Sequence, residues 1–321
     1  MCKIIEYTDR YKTPLRTFLR NTYPTYSEEY LDYIVNSISD QRPSLLIIND
    51  DDEIVGGHHY YCTKALVNGV IIDTFWGHDT YIKQEYRKEI GLDFILTVHS
   101  IPGFGIGLTD INKEISKKIG KTFFSGVFTY YTINWKIVFS PILKLFKHSP
   151  KIDDRDVKVC GNIFRKINDG RIPYIPNDGF WYKGYKDIDF IRNADFLEKR
   201  FFANNVYKYH FYYFTNNDTT CYFTVRISSY RNMHALCISD FRYDPKRLET
   251  IGWIMKAVHK LALRSNIGII LFVCGDENVT NYYKHKFHYK SEIDFVTELN
   301  IRKESSFSVC GADSDADFLK R

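Results

Sequence analysis

Hydrophobic and polar residues follow two spacings along the chain, and each spacing occurs in both halves. Apolar residues every three to four positions predict helices, whereas alternation or a short apolar run predicts strands. The first half predicts, in order, helices near 12–21 and 28–37, strands SLLIIND and EIVGGHHYYC around a turn at 50–52, the long strand NGVIIDTFWGHDTYI, a helix near 89–100, the buried strand FGIGL, a helix near 110–119 and the strand TFFSGVFTYYTI.

The second half predicts the same order of elements. They are a helix near 188–200, the hairpin YHFYYFTNNDTTCYFTVRI, the strand MHALCISDF, a helix near 245–264, the buried strand GIILFVCGD, a helix near 277–285 and a strand pair in FHYKSEIDFVTEL. Matching elements lie about 165 residues apart, which indicates duplication of a whole domain. We therefore predict an N-terminal domain at 1–135, a connecting segment at 136–187, a C-terminal domain at 188–300 and a flexible tail at 301–321.

Composition and charge narrow the class of protein. Of the 321 residues, 44% are hydrophobic and 26% are charged, which is ordinary for a soluble globular chain. The net charge is only +5, and no block of like charges predicts binding to nucleic acid. Seven cysteines lack zinc-ligand spacing, so no metal is expected. The aromatic share of 17% indicates either tyrosine-rich strands or a surface that stacks bases or sugars, with Tyr130 and Tyr131 as candidates.

The segment WKIVFSPILKLF, between the halves, is the candidate for a membrane-binding helix. Its proline and its short length favour a helix packed between the domains instead. The chain has no run of about 18 or more apolar residues, and its start, MCKIIEYTDRYK, lacks the apolar core of a signal peptide. We expect a reduced, cytoplasmic protein without membrane insertion, and the oligomeric state is open.

The segment YIKQEYRKEIGL (81–92) joins a predicted strand to a predicted helix. Backbone N–H groups at such a junction bind phosphate, usually beside glycines that let the ligand come close. The order of elements resembles the GNAT superfamily of N-acetyltransferases, which carries its acyl-CoA signature, Q/R-x-x-G-x-G/A, at this junction. Arg87 keeps the first position, Ile90 and Leu92 stand at the two glycine positions, and Gly91 lies between them.

A second signature of that family is a helix ending in Tyr-x-Lys-x-Gly-Phe. SKKIGK resembles it in the first half, with Gly120 in place and Ser116 at the tyrosine position. YYKHKF resembles it in the second half, with Tyr282 and Lys284 in place and Lys286 at the glycine position. The resemblance implies an α/β (α+β) fold of two tandem GNAT-like domains, each a mixed, mostly antiparallel twisted sheet flanked by helices.

This arrangement is similar to tandem-GNAT sugar N-acyltransferases of bacterial surface-polysaccharide pathways, such as lipopolysaccharide O-antigen synthesis. The resemblance implies transfer of a 3-hydroxybutanoyl or acetyl group from acyl-CoA to the amino group of a nucleotide-linked sugar. A dTDP-3-amino-3,6-dideoxyhexose is the implied acceptor. Two alternatives are open. One is aminoacyl-tRNA-dependent peptidyl transfer, which would predict a long basic helical arm that the pattern lacks. The other is a degenerate tandem GNAT that binds a ligand without turnover.

Acyl transfer requires a held cofactor, a hydrogen-bond donor for the tetrahedral oxyanion and a base for the ammonium. The pyrophosphate of coenzyme A is expected on the N–H groups of 87–92 and on two cationic side chains. The oxyanion donor is expected in the strand end at 80–82. The cofactor-binding candidates are Thr80, Tyr81, Ile82, Arg87, Lys88, Ile90, Gly91 and Leu92.

The candidate base lies just upstream of that strand end. His78 and Asp79 are the first candidates, because a histidine titrates in the range that suits a sugar amine. The alternative is a strand bulge with a hydrogen-bonded, non-catalytic histidine. Ser116, at the signature tyrosine position, is the third catalytic candidate. His58 and His59 occupy the neighbouring strand, where alternation places one of them on the active face, and His58 is a substrate-binding candidate.

The second half has a poorer junction for a cofactor. DFRYDPKR (240–247) stands there, contains no glycine, and has Pro245, which lacks an N–H donor. We therefore predict that the second half does not bind CoA and forms walls for the nucleotide sugar. Its substrate-binding candidates are Asp240, Arg242 and Tyr282.

Overall fold

A computed structural model describes residues 1–37, 44–133, 151–204, 206–216, 218–230, 233–284 and 289–313, with the backbone alone at 78, 79 and 289. The predicted segment WKIVFSPILKLF lies outside the described residues. The helices are α1 Lys12–Thr22, α2 Glu28–Ser37, α3 Arg87–His99, α4 Asp110–Lys118, α5 Ala194–Leu197, α6 Glu249–Arg264 and α7 Glu277–Tyr283. The strands are β1 Lys3–Glu6, β2 Leu45–Ile48, β3 Ile54–Val67, β4 Val70–Ile82, β5 Phe104–Ile106, β6 Thr122–Phe124, β7 Val127–Ile133, β8 Val157–Val159, β9 Asn162–Ile167, β10 Ile188–Phe190, β11 His210–Asn216, β12 Thr219–Tyr230, β13 Met233–Arg242, β14 Ile269–Gly275, β15 Tyr289–Glu292, β16 Phe295–Thr297 and β17 Val309–Cys310.

The chain forms two compact units, and neither is one continuous stretch. Unit 1 contains Met1–Lys64, Asp73–Phe123 and Phe295–Lys303, and unit 2 contains Ala65–Ile72, Phe124–Asp294 and Glu304–Arg321. The sequence predicts continuous domains instead. The difference arises because strand pairing does not follow chain order: β16 pairs with β5 inside unit 1, and β7 pairs with β14 inside unit 2.

A mixed sheet forms the centre of unit 1, in the strand order β1-β2-β3-β4-β5-β16-β6. The pairs β1–β2, β2–β3 and β5–β16 are antiparallel, and β4 runs parallel to β5. Helix α3 connects β4 to β5 and packs on the sheet, because Phe94 and Val98 on one helix face are buried against Ile47, Val55 and Ile82. This packing fixes the start of α3 next to the end of β4.

Unit 2 contains a second mixed sheet, in the order β15-β7-β14-β13-β12-β11-β9-β8, with β17 added to β14. Strands β13 and β14 are parallel, and the other pairs with a defined register are antiparallel. Both sheets are mixed, mostly antiparallel and flanked by helices, which confirms the predicted fold class.

The aromatic residues of unit 2 pack mainly on one another. Phe211 stacks on Tyr222 with ring centroids 4.8 Å apart, and Tyr130 stacks on Phe272 at 4.7 Å. Tyr130 is 1% exposed, and its hydroxyl lies 3.0 Å from the hydroxyl of Thr280. The proposed base-stacking role of Tyr130 is therefore wrong, since strand packing accounts for this side chain.

Two predictions for the second half are corrected by long-range pairing. The helix predicted near 188–200 begins with β10, which is held extended by pairing with residues 65–67, and α5 starts only after its N-cap, Asn193. The tail predicted as flexible from 301 is ordered through 313. There β17 pairs with β14 at Cys274 and Gly275, and Gly311–Asp313 forms a buried 3₁₀ turn.

Candidate functional site

The candidate site of unit 1 lies at the C-terminal ends of β4 and β5. These parallel strands pair at Trp76 and Phe104, and among the described residues no later pair joins them, although β4 continues to Ile82. Beyond this pair β4 extends without a described partner on the side of β5, and we call this region the crevice of unit 1. Ligands of α/β proteins bind in crevices of this kind, outside the carboxyl ends of parallel strands.

The end of β4 is held by close contacts. Lys83 N donates to Val55 O at 2.8 Å, and Arg87 Nε donates to Ile82 O at 2.9 Å. The Arg87 guanidinium carbon lies 5.9 Å from the centroid of the Tyr81 ring. Arg87 is exposed, so its side chain folds back over the strand end while part of its guanidinium faces solvent.

The backbone N–H groups near this junction do not match the predicted set. Residues Gln84–Tyr86 form a 3₁₀ turn between β4 and α3, and the N–H groups of Tyr86 and Arg87 bond to Lys83 O and Gln84 O. Within α3, the N–H groups of 90–92 bond to carbonyls one turn earlier. The prediction that Ile90, Gly91 and Leu92 offer amides to a phosphate is therefore wrong.

The 3₁₀ turn supplies the amides that the sequence analysis missed. The first N–H groups of a helical turn have no acceptor within the turn, and here they belong to Gln84 and Glu85. Gly91 is buried instead, and a methyl group placed on it would be 3.9 Å from both Ile82 and Arg87. These are ordinary van der Waals distances, so the space around Gly91 would accept a methyl group.

The histidines of β3 are both buried. His58 is 4% exposed and its Nδ1 lies 2.6 Å from Thr80 Oγ1, while His59 is 2% exposed and its Nδ1 lies 2.8 Å from Ser44 Oγ. Gly77 allows this arrangement, because a methyl group there would come within 2.8 Å of His58 Nε2. His58 contacts and orients Thr80 at the end of β4, and its role toward a substrate stays a prediction.

The remaining candidate residues lie on β4, α4 and α7. The side chains of His78 and Asp79 lie outside the described residues, so their role stays a prediction. Ser116 is fully buried in α4, so its hydroxyl is not exposed to a ligand in this structure. Tyr282 is half-buried on α7 in unit 2, and burial raises the pKa of its hydroxyl.

A group of aromatic rings from α1, from the connection that follows it and from α2 lies beside the strand end. The Tyr81 ring centroid is 5.9 Å from that of Phe18 and 6.3 Å from that of Tyr23. Tyr23 stacks on Tyr26 at 4.8 Å, and Tyr26 meets Tyr30 edge-on at 4.8 Å. The sequence analysis missed this group. The tyrosines are three to four residues apart in the sequence, but Tyr23 and Tyr26 lie between α1 and α2, so only the tertiary structure brings the rings together.

The corresponding crevice of unit 2 is filled by the chain itself. Strand β13 pairs with β14 as far as Ile238 and Phe272, while β7 covers the other edge of β14 along Ile269–Gly275. Since β17 pairs with β14 at Cys274 and Gly275, it must lie on the edge that faces β13. Residues 309–313 therefore occupy the place where β13 and β14 separate, and we call them the plug.

A buried charge network holds the plug. Arg192 Nη2 donates to Asp313 Oδ1 at 2.5 Å, and its Nε donates to Asp240 Oδ2 at 2.8 Å. Arg242 Nη1 donates to Asp240 Oδ1 at 3.0 Å and contacts Cys310 Sγ at 3.4 Å. Burial opposes the charge of Asp240, yet the two guanidiniums keep the pKa of this carboxyl below its ordinary value.

The predicted substrate-binding roles of Asp240 and Arg242 are therefore wrong. Both side chains are 0% exposed, and their polar atoms hold Arg192, Tyr222 and the plug. The sequence places these residues at a strand end, but only the fold reveals that a segment some 70 residues later in the chain covers them.

Close packing at the strand end predicts a contrast between two neighbouring glycines. Gly56→Ala is expected to lower the free energy of unfolding by about 1–3 kcal/mol, because its methyl group would lie 2.9 Å from Tyr81 O and 2.7 Å from Ile47. Gly57→Ala is the matched control, since its methyl group would lie 3.4 Å from its nearest neighbour, Leu45 O. Urea denaturation measures both variants, and equal losses would contradict the close approach at Tyr81.

The described part of the chain offers neither a cluster of metal ligands nor a helix that could span a membrane. In it, no group of three or more His, Cys, Asp or Glu side chains is placed to hold a metal ion. No helix in the same residues is long and apolar enough to cross a membrane.

Comparison with solved structures shows the fold. A GCN5-related N-acetyltransferase from Anabaena variabilis superposes with a TM-score of 0.59 and 11% identity, covering 92% of this chain and 72% of that one. Saccharomyces cerevisiae N-myristoyltransferase, solved with myristoyl-CoA and inhibitors, gives a TM-score of 0.61 and 10% identity, with coverage of 94% and 81%. A probable N-acyltransferase of unknown function from Enterococcus faecalis gives 0.59 and 8%, with coverage of 92% and 72%. No family profile matches the chain, and no curated protein matches its sequence. The likenesses therefore show a GNAT-type fold and not the activity.

Proposed function

We propose that the protein is an acyl-CoA-dependent N-acyltransferase that binds its acyl donor in the crevice of unit 1. The observation that carries the proposal is the contrast between the two crevices. In unit 1, among the described residues, the pairing of β4 and β5 ends at Trp76 and Phe104, whereas in unit 2 the plug fills the equivalent place. Of these two places, the one in unit 1 is left without a covering segment by the described residues, and it keeps Arg87.

The residues at the end of β4 suit a pyrophosphate. Lys83, Arg87 and Lys88 bring three positive charges to the turn, and the N–H groups of Gln84 and Glu85 point from its start. The carboxylates of Glu85 and Glu89 oppose the cations, but Glu89 Oε1 accepts from Cys2 N at 2.7 Å, which directs it toward β1. The chain therefore has the donors and the net charge that this group needs.

When bound, acyl-CoA would supply an acyl group activated as a thioester. The chain would then contribute in two ways. A backbone N–H group of the strand end at 80–82 would donate to the developing oxyanion, with Thr80 fixed by His58. His78 or Asp79 would take the proton from the acceptor ammonium.

The acceptor is proposed to be a nucleotide-linked amino sugar, with a dTDP-3-amino-3,6-dideoxyhexose first among the candidates. The tyrosines beside Tyr81 support an acceptor with a flat or sugar-like face, because aromatic rings pack on both. All seven cysteines are free, which supports a reducing, cytoplasmic location.

The test is a panel of dTDP-linked amino sugars, each incubated with acetyl-CoA or 3-hydroxybutanoyl-CoA and the full chain. Release of free thiol that depends on both substrates, with the acylated sugar identified by mass spectrometry, is the expected result. Calorimetric titration with CoA is run in parallel. CoA binding without turnover on any sugar would contradict the acceptor class, and no heat at millimolar CoA would contradict the acyltransferase proposal itself.

A further inference from the structure

A half-open pocket of about 210 Å³ lies in unit 2, at the end of the sheet where β11 begins. Its polar lining consists of Lys151, Tyr207, Lys208, His210 and Arg226, and two isoleucines complete it. Among the described residues, this lining contains no acidic side chain. The proposed acyl-transfer site in unit 1 uses none of these residues.

Arg226 is the most firmly held cation of the pocket. It is 4% exposed, its guanidinium carbon lies 4.4 Å from the centroid of the Tyr207 ring, and its Nη1 donates to Ile227 O at 3.2 Å. A guanidinium fixed in this way presents a planar set of N–H donors at little entropic cost, which suits the oxygens of a phosphate. Lys151 and Lys208 are exposed and add two further positive charges.

His210 links the pocket to the nearest carboxylate without adding a charge. Its Nδ1 lies 2.7 Å from Asp154 Oδ1, and Lys166 Nζ lies 2.5 Å from the same oxygen. Burial, and then the charge of Lys166, lower the pKa of His210 to about 4, so its ring is neutral at pH 7. The charge of Asp154 is thus countered by Lys166, and the pocket keeps the three cations of its lining.

We propose that this pocket binds a phosphate group of a small anionic ligand, with Arg226 as the fixed donor and Lys151 and Lys208 as the outer cations. A multivalent anion would relieve the repulsion between three like charges gathered around a small volume. The pocket has room for a phosphate or diphosphate group, and an attached nucleoside would extend through its open side. The proposal stands whether or not the chain transfers acyl groups.

The test is calorimetric titration of the full chain with inorganic pyrophosphate at low salt. The double variant Lys151→Gln/Lys208→Gln is expected to bind pyrophosphate at least about tenfold more weakly, because it loses two charge-assisted contacts. The matched control, Lys199→Gln/Lys246→Gln, removes two exposed lysines of unit 2 that do not line the pocket and should bind like wild type. No binding by wild type, or equal affinity in the two double variants, would overturn the proposal.

Arg226→Lys separates geometry from charge, since it keeps the cation and removes the planar donors. Weaker pyrophosphate binding is expected, and circular dichroism checks that the variant is folded. If Arg226→Lys does not fold, the double variant Lys151→Gln/Lys208→Gln tests the proposal by itself. Competition then identifies the source of the phosphate: displacement by dTDP assigns a nucleotide, and displacement by CoA assigns the donor. Arg87→Ala should leave pyrophosphate binding in this pocket unchanged, which separates it from the unit 1 site.

Discussion

Arg87→Ala is expected to weaken CoA binding by roughly tenfold to a hundredfold, because hydrogen bonds to charged groups contribute about 1.5–3 kcal/mol. Its guanidinium is exposed at the end of β4, where the proposed pyrophosphate site lies, and its Nε also anchors Ile82 O at 2.9 Å. Calorimetric titration with CoA measures the loss.

Two further variants serve as controls for the loss of CoA affinity in Arg87→Ala. Arg247→Ala removes the arginine at the corresponding junction of unit 2, next to the filled crevice, and should leave CoA affinity unchanged. Arg87→Lys keeps the charge but loses the bond to Ile82, so an intermediate affinity would separate attraction of the pyrophosphate from positioning of the strand. If Arg247→Ala weakened CoA binding as much as Arg87→Ala, the donor would have been assigned to the wrong unit.

Asp240→Ala is expected to lower the free energy of unfolding by about 3–5 kcal/mol, because it removes one partner from a fully buried charge network. Arg192 and Arg242 share this carboxylate, and neither can reach water. Urea denaturation monitored by circular dichroism measures the change.

The control is Asp218→Ala, which removes an exposed carboxylate 3.8 Å from Arg247 and should stay close to wild type. Asp240→Asn preserves the shape of the side chain and serves if the alanine variant does not fold. The Asp240→Asn variant should still bind CoA, since residue 240 lies in unit 2 and the proposed CoA site lies in unit 1. A stability loss no larger than that of Asp218→Ala would contradict the network as the element that holds the plug.

Much of the local structure could be predicted from the sequence. The spacing of apolar residues placed α1, α2, α3 and α4, as well as the long strands β3 and β4, within a few residues of their observed bounds. These elements follow from contacts three to four residues apart or from simple alternation, which a single sequence displays directly. The same order of elements in both halves was enough to indicate the fold class.

The sequence predicts the candidate site at YIKQEYRKEIGL, and this position stays a prediction. It assigned the phosphate amides to 87–92, because a strand-to-helix junction does not reveal that a 3₁₀ turn at Gln84–Tyr86 comes first. One turn of helix decides which N–H groups are free, and that choice depends on how β4 is held by Val55 and Arg87.

The sequence by itself determined most of the local elements and the junction that keeps an arginine, whereas the duplication stays a prediction. Only the tertiary structure decided that β7 and β16 pair away from their neighbours in the chain, and that residues 309–313 fill the crevice of unit 2. It also decided that Asp240 and Arg242 are buried. The physical reason is separation along the chain: Arg192 and Asp313 are 121 residues apart, and no local spacing of residues carries information about a bond between positions so far apart.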